Sequence, residues 1–373
     1  MIYTNIWDIK KMYEVPKTYL TNLYCVEGFT SFFYEGFMYH HKVTKVYAYY
    51  KAPEGIPPTD GWPAVVIVHG GGGTAFHWMV KRWNEQGFAA ISMDLEGHLP
   101  DLSLSHENRP IHNYSGPNRK NVFEDYKLPI TEQWMYHAVA DVIRANTLIQ
   151  SFDEVNSEKV GIFGISWGGI ITSIATGADR RFSFAIAVYG CGYLSESDGK
   201  LQPTTEQSVL WEPMNHLVNE IKTPMLFING TNDQYFPLDT WARTTTDING
   251  KVWRYIIPNF EHGHLPIFNF SEHFEFAKKI VSNKKKLQSL KTLIIEDGFL
   301  KIQELNSQDI ISVIYNYTLD VGVHAERIWQ QKEIGPIMNG QIKKQIKKST
   351  TAIFINIIGR DGLCFSSEYI ELI

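Results

Sequence analysis

The chain has 373 residues, 44% of them hydrophobic, with a formal net charge of −5 and a pI near 6.2. It can bury a large core and has length for about two domains, but it lacks the basic footprint that nucleic acid or an anionic membrane surface requires. Neither kind of partner is expected, and no apolar run approaches the length needed to cross a bilayer.

Met1 to Lys10 shows neither a basic start followed by an apolar stretch nor a small-residue cleavage site, so a cytoplasmic location is expected. Residues 1 to 28 are mixed and aromatic, without clear periodicity. The runs Phe29 to Met38 and Val43 to Tyr50 are rich in aromatic and β-branched residues and predict a leading antiparallel hairpin around His40-His41-Lys42. Pro53, Pro57, Pro58 and Pro63, with Gly55 and Gly61, then make a loop. Beyond it, apolar runs alternate with helical stretches: Ala64 to Val68, Phe88 to Met93, Lys159 to Phe163, Phe184 to Tyr189, Pro224 to Ile228 and Val252 to Ile257. Near-continuous apolar runs fit strands covered by helices on both faces, which predicts an α/β fold with a mostly parallel central sheet. Trp134 to Ile149 predicts a long helix, with Ala138, Val142, Ala145 and Leu148 at three- and four-residue steps. Phe270 to Lys286 predicts another, ending in Lys284-Lys285-Lys286, where cations suit a helix C-terminus.

After residue 287 helical periodicity gives way to short alternating runs, Thr292 to Ile295, Ile310 to Tyr317, Thr351 to Ile358 and Leu363 to Phe365. These predict a small C-terminal antiparallel β-sandwich, dividing the chain into domains 1–286 and 287–373 at a boundary near Lys286. Lys343 to Lys348 reads as a strand edge protected by charge. An all-β appendage of this size suits packing or assembly, so self-association through the C-terminal domain is expected.

The chemistry concentrates at Gly164-Ile165-Ser166-Trp167-Gly168-Gly169, where the run Lys159 to Phe163 gives way to the helical stretch Ile170 to Ala175. A strand that turns sharply into a helix strains the turning residue, needs flanks without side chains, and pushes the serine hydroxyl clear of the sheet. Free N–H groups and the dipole at the helix N-terminus favour developing negative charge there. Ser166 is therefore the expected nucleophile toward a carbonyl. A hydroxyl is too weakly acidic to attack unaided, so a histidine must take its proton and a carboxylate must orient that histidine. Asp233, just beyond the run Met225 to Gly230, is the expected acid, with Asp239 in reserve. Pro258 to His264 offers two bases; His262 comes first after the strand and has Gly263 behind it, which leaves His264 as a neighbour of the substrate.

His69-Gly70-Gly71-Gly72-Gly73 follows the run Ala64 to Val68, and its bare backbone can approach an oxyanion closely. The expected donors are the N–H groups of Trp167 and of Gly71 or Gly72. No Gly-Lys-Ser/Thr and no ribose-binding acid accompany these glycines, which argues against a phosphate loop. His69, Tyr136 and His264 are expected to line the substrate pocket. The insertion from Leu99 to Thr131, with Arg109, His112, Tyr114 and Arg119, belongs near its mouth. His40, His41, His106, His112 and His216 have no metal-ligand spacing, and Cys25, Cys191 and Cys364 are widely separated, so neither a metal nor a disulfide framework is expected. Cys191 reads as a core thiol.

Taken in order, the glycines after His69, the turn at Ser166, Asp233 and His262 resemble the α/β-hydrolase superfamily, nearest its dienelactone hydrolase, acetyl xylan esterase and prolyl oligopeptidase-like branch. Trp134 to Asp141 and Val188-Tyr189-Gly190-Cys191-Gly192 carry the same resemblance, which spans residues 30 to 286. It implies a serine esterase without metal or organic cofactor, acting on a small-molecule ester with a small, acetyl-type acyl group. Ser166 would form an acyl-enzyme, with His262 acting as base and then as acid. Peptidase activity is the enzymatic alternative, weakened because the stretch before Ala64 is too short for the N-terminal propeller of prolyl peptidases. A non-catalytic binding protein that keeps the fold is a third reading, against which the intact Ser-Asp-His order argues. Asp94-Leu95-Glu96-Gly97-His98 departs from the pattern, standing where relatives often carry an arginine before the glycine.

Overall fold

A computed structural model of the chain describes residues 6–217, 219–282, 293–302, 310–334 and 342–372. The chain begins with the short helix α1 (Ile9–Met12) and strand β1 (Thr18–Leu20), followed by the predicted hairpin, β2 (Thr30–Tyr39) and β3 (Lys42–Lys51). His40 and His41 turn the hairpin at φ 47° and 63°, and two consecutive left-handed residues give a turn whose twist matches that of its strands.

Six strands form the parallel core: β4 (Trp62–Val68), β5 (Ala89–Met93), β6 (Val155–Ile165), β7 (Ala185–Val188), β8 (Ile221–Gly230) and β9 (Gly250–Ile257). Their spatial order is β5-β4-β6-β7-β8-β9, with β3 joining antiparallel at the β5 edge. The helices are α2 (His77–Asn84), α3 (Trp134–Gln150), α4 (Trp167–Ala178), α5 (Thr205–Ser208), α6 (Pro213–His216), α7 (Leu238–Asp247) and α8 (Glu272–Ser282). The chain leaves β4 toward β5 and returns through α3 to β6 on the other side, so the loops after β4 and β6 part company at the C-terminal edge of the sheet. A crevice at such a switch point is where open α/β sheets bind ligands.

Helix α3 is less one-sided than its predicted stripe, since every residue from Trp134 to Ile149 is buried. The mixed N-terminal segment covers its outer side. Arg144 donates to the carbonyls of Glu35 (2.7 Å) and Lys11 (3.0 Å), and Thr147 donates to that of Met12 (2.9 Å). Helix α8 begins later than predicted, because Pro266 opens a 3-10 turn and Phe270 is extended. The predicted helix end at Lys284 to Lys286, and with it the boundary near Lys286, lies outside the described residues.

The C-terminal strands are β10 (Ile294–Glu296), β11 (Phe299–Ile302), β12 (Ile310–Thr318), β13 (Trp329–Glu333), β14 (Ile342–Gln345), β15 (Ala352–Gly359), β16 (Cys364–Ser366) and β17 (Ile370–Glu371). The expected sandwich has two antiparallel layers, but one of them is shared with the central sheet. The order β9-β16-β15-β12-β13 continues that sheet through the pair Arg254 and Ser366, and β10-β11-β14 forms the second layer. The period of two along β15 accounts for this: Ala352 and Phe354 enter the main core, while Ile353, Ile355 and Ile357 enter a smaller core under the three-stranded sheet. Strand β14, with Lys343 and Lys344, lies at the edge of that sheet. Among the described residues no helix is long and apolar enough to cross a membrane.

Candidate active site

Strand β6 ends at Ile165 and α4 begins at Trp167, leaving Ser166 to make the turn alone at φ 58°, ψ −117°. Such a conformation costs a residue with a side chain about 1–3 kcal/mol and persists only where its surroundings over-determine it. Here the Ser166 N–H donates to Val188 O (2.8 Å), and its carbonyl accepts from the N–H groups of Gly169 (2.8 Å) and Ile170 (3.2 Å). The flanking glycines are required sterically: a Cβ on Gly164 would collide with the Gly168 carbonyl, and one on Gly168 with the Val68 carbonyl.

His262, in the loop after β9, brings Nε2 to 3.0 Å from Ser166 Oγ and Nδ1 to 2.8 Å from Asp233 Oδ2. With Nδ1–H donating to the carboxylate, Nε2 is left to accept from the hydroxyl. The Asp233 side chain is fully buried, and its Oδ1 accepts the N–H groups of Tyr235 (2.8 Å) and Phe236 (3.0 Å). These bonds hold the carboxylate in one orientation and satisfy it away from water. The rings of Tyr189 (4.3 Å between centres), Tyr235 (4.7 Å) and Phe236 (6.0 Å) surround the imidazole. Tyr189 also donates its hydroxyl to the Glu261 carbonyl at 2.6 Å, bracing the loop that carries His262. The reserve acid Asp239 lies in the first turn of α7, its carboxylate grouped with Asp198 and His324.

The other predicted site residues divide between wall and scaffold. His264 Nε2 accepts the Gly70 N–H at 2.9 Å, and burial, reinforced by His69, His262 and Arg109, pulls its pKa down to about 3. It flanks the site as a neutral acceptor. His69 is placed differently from expectation: it is 2% exposed, Nδ1–H donates to Gly70 O (2.7 Å), and Nε2 accepts the Leu95 N–H (3.0 Å). Both nitrogens are spent holding the glycine loop, so His69 supports the pocket from beneath. Tyr136 is corrected outright. It packs on Trp7 (6.1 Å), Phe37 (6.0 Å) and His137 (5.4 Å) within the layer that covers α3.

Gly73 N–H donates to Gly70 O at 3.0 Å, closing the glycine turn with Gly72 at φ 71°. The Gly70 N–H is committed to His264, whereas a Cβ on Gly71 would stand 2.8 Å from Trp167 Cδ1, so Gly71 backbone lies against the elbow. Arg109 Nη1 donates to the carbonyls of Gly72 (3.0 Å) and Gly73 (2.8 Å), which places the insertion over this loop. The Arg119 guanidinium lies 5.6 Å from the Trp167 ring centre, and its Nε donates to Glu96 Oε1 at 3.1 Å. His106 Nε2 is 2.8 Å from Glu96 Oε2. Glu96 is only 3% exposed; burial works to raise its carboxyl, but the His106 hydrogen bond and the Arg119 charge outweigh it and hold the pKa down to about 2. Glu96 and Tyr189 are the contributors that the sequence reading missed. Tyr189 had a signal in its place before Gly190 at a strand end, and Glu96 in replacing the expected arginine.

Among the described residues, two groups each bring three metal-competent atoms within 4.8 Å of one another: Glu96, His98 and His106, and Asp198, Asp239 and His324. Cys191 is buried, and burial pushes its thiol well up, in keeping with a core role.

A strained serine bonded to a histidine and a buried aspartate, at the C-terminal edge of a parallel α/β sheet, defines an α/β-hydrolase of the serine hydrolase class. Residues 47–268 match the dienelactone hydrolase family, and the chain belongs to it. Among solved structures it is similar in fold to the acetyl xylan esterase from Paenibacillus sp. R4, at 18% identity and a TM-score of 0.56, covering 74% of this chain and 92% of that one. Acetyl xylan esterase 1 from Thermoanaerobacterium sp. JW/SL YS485 gives 16% identity and a TM-score of 0.54, covering 74% and 93%. The acylaminoacyl peptidase of Pyrococcus horikoshii gives 17% identity and a TM-score of 0.52, over 71% of this chain but 44% of that protein.

Proposed function

We infer that the chain is a carboxylic ester hydrolase for small, acetyl-type acyl esters, with Ser166, His262 and Asp233 as its catalytic triad. The observation that carries this reading is the continuous hydrogen-bonded line from Ser166 Oγ through the imidazole to the buried carboxylate. As Ser166 Oγ bonds to the ester carbon, His262 Nε2 takes its proton, and Asp233 stabilises the imidazolium. The carbonyl oxygen, now an oxyanion, receives the N–H groups of Trp167 and Gly71. Collapse breaks the bond to the alcohol, which leaves with the proton from His262. Water, deprotonated by the same imidazole, then attacks the acyl carbon, and the acyl–Oγ bond breaks as His262 returns the proton to Ser166, releasing the acid. Trp167 and Arg119 stand against the backbone of Gly71, and Phe123 packs on the Trp167 ring at 5.2 Å, which favours a short acyl group.

Hydrolysis of p-nitrophenyl acetate tests the reading. The wild type should turn it over faster than the octanoate ester, should be labelled by a fluorophosphonate at Ser166, and should lose both properties in Ser166→Ala. An unchanged rate in Ser166→Ala, or a folded wild type that neither hydrolyses nor labels, removes it.

A further inference from the structure

Glu96 and His98 leave the end of β5 in a loop whose shape is fixed from within. Asp94 Oδ1 accepts the N–H groups of both Glu96 (2.9 Å) and His98 (2.8 Å). Gly97 between them sits at φ 76°, where a Cβ would meet Ser115. The insertion docks on the same loop through a backbone bridge between His98 and Ile111 and a bond from His112 N–H to Gly97 O at 3.1 Å. It also delivers His106, so that one ligand atom each of Glu96, His98 and His106 falls within a 4.8 Å cluster.

The pairing of Glu96 with Arg119 and His106 accounts for only part of this arrangement. His98 is 6% exposed, its Nδ1 is buried without a hydrogen-bond partner, and its ring centre stands 4.9 Å from that of His106. A buried, unpaired ring nitrogen is costly in an ion-pair network but is what a metal site requires, because a ligand must present a free lone pair.

We propose that Glu96, His98 and His106 form a binding site for a divalent transition-metal ion, zinc above all, that clamps the 99–131 insertion to the loop after β5. Two imidazoles and one carboxylate are a ligand set that zinc accepts. Glu96 Oε2 faces His106, while Oε1 keeps its bond from Arg119, so the arginine orients the ligating carboxylate from outside. The metal takes the place of the proton shared between His106 and Glu96. It sits behind the glycine turn, where His106 Cβ is 3.7 Å from the position a Gly72 Cβ would occupy, and its work is to hold Arg119 against Trp167.

The test needs no substrate, so it stands or falls independently of the esterase reading. Full-length protein stripped with EDTA is titrated with zinc chloride by calorimetry, and melting curves are compared with and without zinc. The expectation is one zinc per chain, a raised melting temperature, and affinity weakened roughly tenfold or more in His98→Ala and in His106→Ala. Zinc should also slow proteolytic nicking of the insertion. His106→Ala changes a partly exposed residue, so it reports even if His98→Ala folds poorly. His324→Ala, in the second acidic cluster, should bind as the wild type does. Absence of stoichiometric binding overturns the proposal, as does binding that survives both His98→Ala and His106→Ala or disappears only in His324→Ala.

Discussion

Asp233 makes three bonds with two oxygens, and they do different work. Oδ1 anchors the backbone of Tyr235 and Phe236, and Oδ2 faces His262. Asparagine at this position can keep the Oδ1 bonds but presents an amide donor to Nδ1, which turns the imidazole to the tautomer that cannot take a proton from Ser166. Asp233→Asn is therefore expected to fold normally and lose roughly 10⁴-fold in kcat with little change in KM. Asp239→Asn should keep full activity, because its carboxylate faces Asp198 and His324. Steady-state kinetics of both variants check the assignment; equal losses in the two would unseat Asp233.

At the scale of elements, what was legible in the sequence was whatever is decided by neighbours along the chain. The turn at Ser166 is such a case, since the collisions that exclude side chains at Gly164 and Gly168 arise within one strand-turn-helix and beside the adjacent β4. Tyr136 was misplaced for the opposite reason. Helix α3 is buried around its whole circumference, so no stripe distinguishes the side facing the sheet from the side facing α1 and β2. The Glu96, His98 and His106 cluster was invisible because its geometry depends on how an insertion folds back, which no spacing encodes.

Helix α3 also carries an energetic debt. The Asp141 carboxylate is buried with Oδ1 unpaired, and desolvation raises its pKa to about 7 against partial relief from Arg144. A raised carboxyl keeps its proton in the folded state while the unfolded chain ionises. Stability is unaffected below the unfolded pKa of 3.8, falls as pH rises toward 7, and stays reduced above it. Asp141→Asn removes the ionisation. It should be roughly 1–3 kcal/mol more stable than the wild type at pH 8 and no more stable at pH 4, as read from urea melts at the two pH values. A gain that is the same at both would mean that packing, and not charge, is at issue.

For the molecule as a whole, the question is whether the C-terminal strands stand apart from the hydrolase sheet or belong to its cooperative unit. Their alternation was readable in the sequence, but which sheet each face feeds was not, because a period of two says only that a strand has two sides. The seam between β9 and the tail is polar as well as apolar. Ile256 N–H donates to Ser366 Oγ (2.7 Å), the Ser366 hydroxyl donates to Asn356 Oδ1 (2.6 Å), and Asn356 Nδ2 donates to Ile256 O (3.1 Å). This closed, buried ring lies beside Phe354, Leu363 and Phe365, which share the main core. A ring of this kind is costly to leave half satisfied, since each orphaned group retains its full desolvation penalty. Asn356→Ala should destabilise the protein by roughly 2–4 kcal/mol, and the loss should appear as a lower midpoint of a single calorimetric transition, with the tail and the hydrolase sheet melting together. Ester hydrolysis at 25 °C should change little, because His262 lies beyond the end of β9. If heating instead gives two transitions, and Asn356→Ala moves only the one that leaves Ser166 reactive toward a fluorophosphonate, the tail is a separate folding unit and the shared core does not couple it to the catalytic sheet.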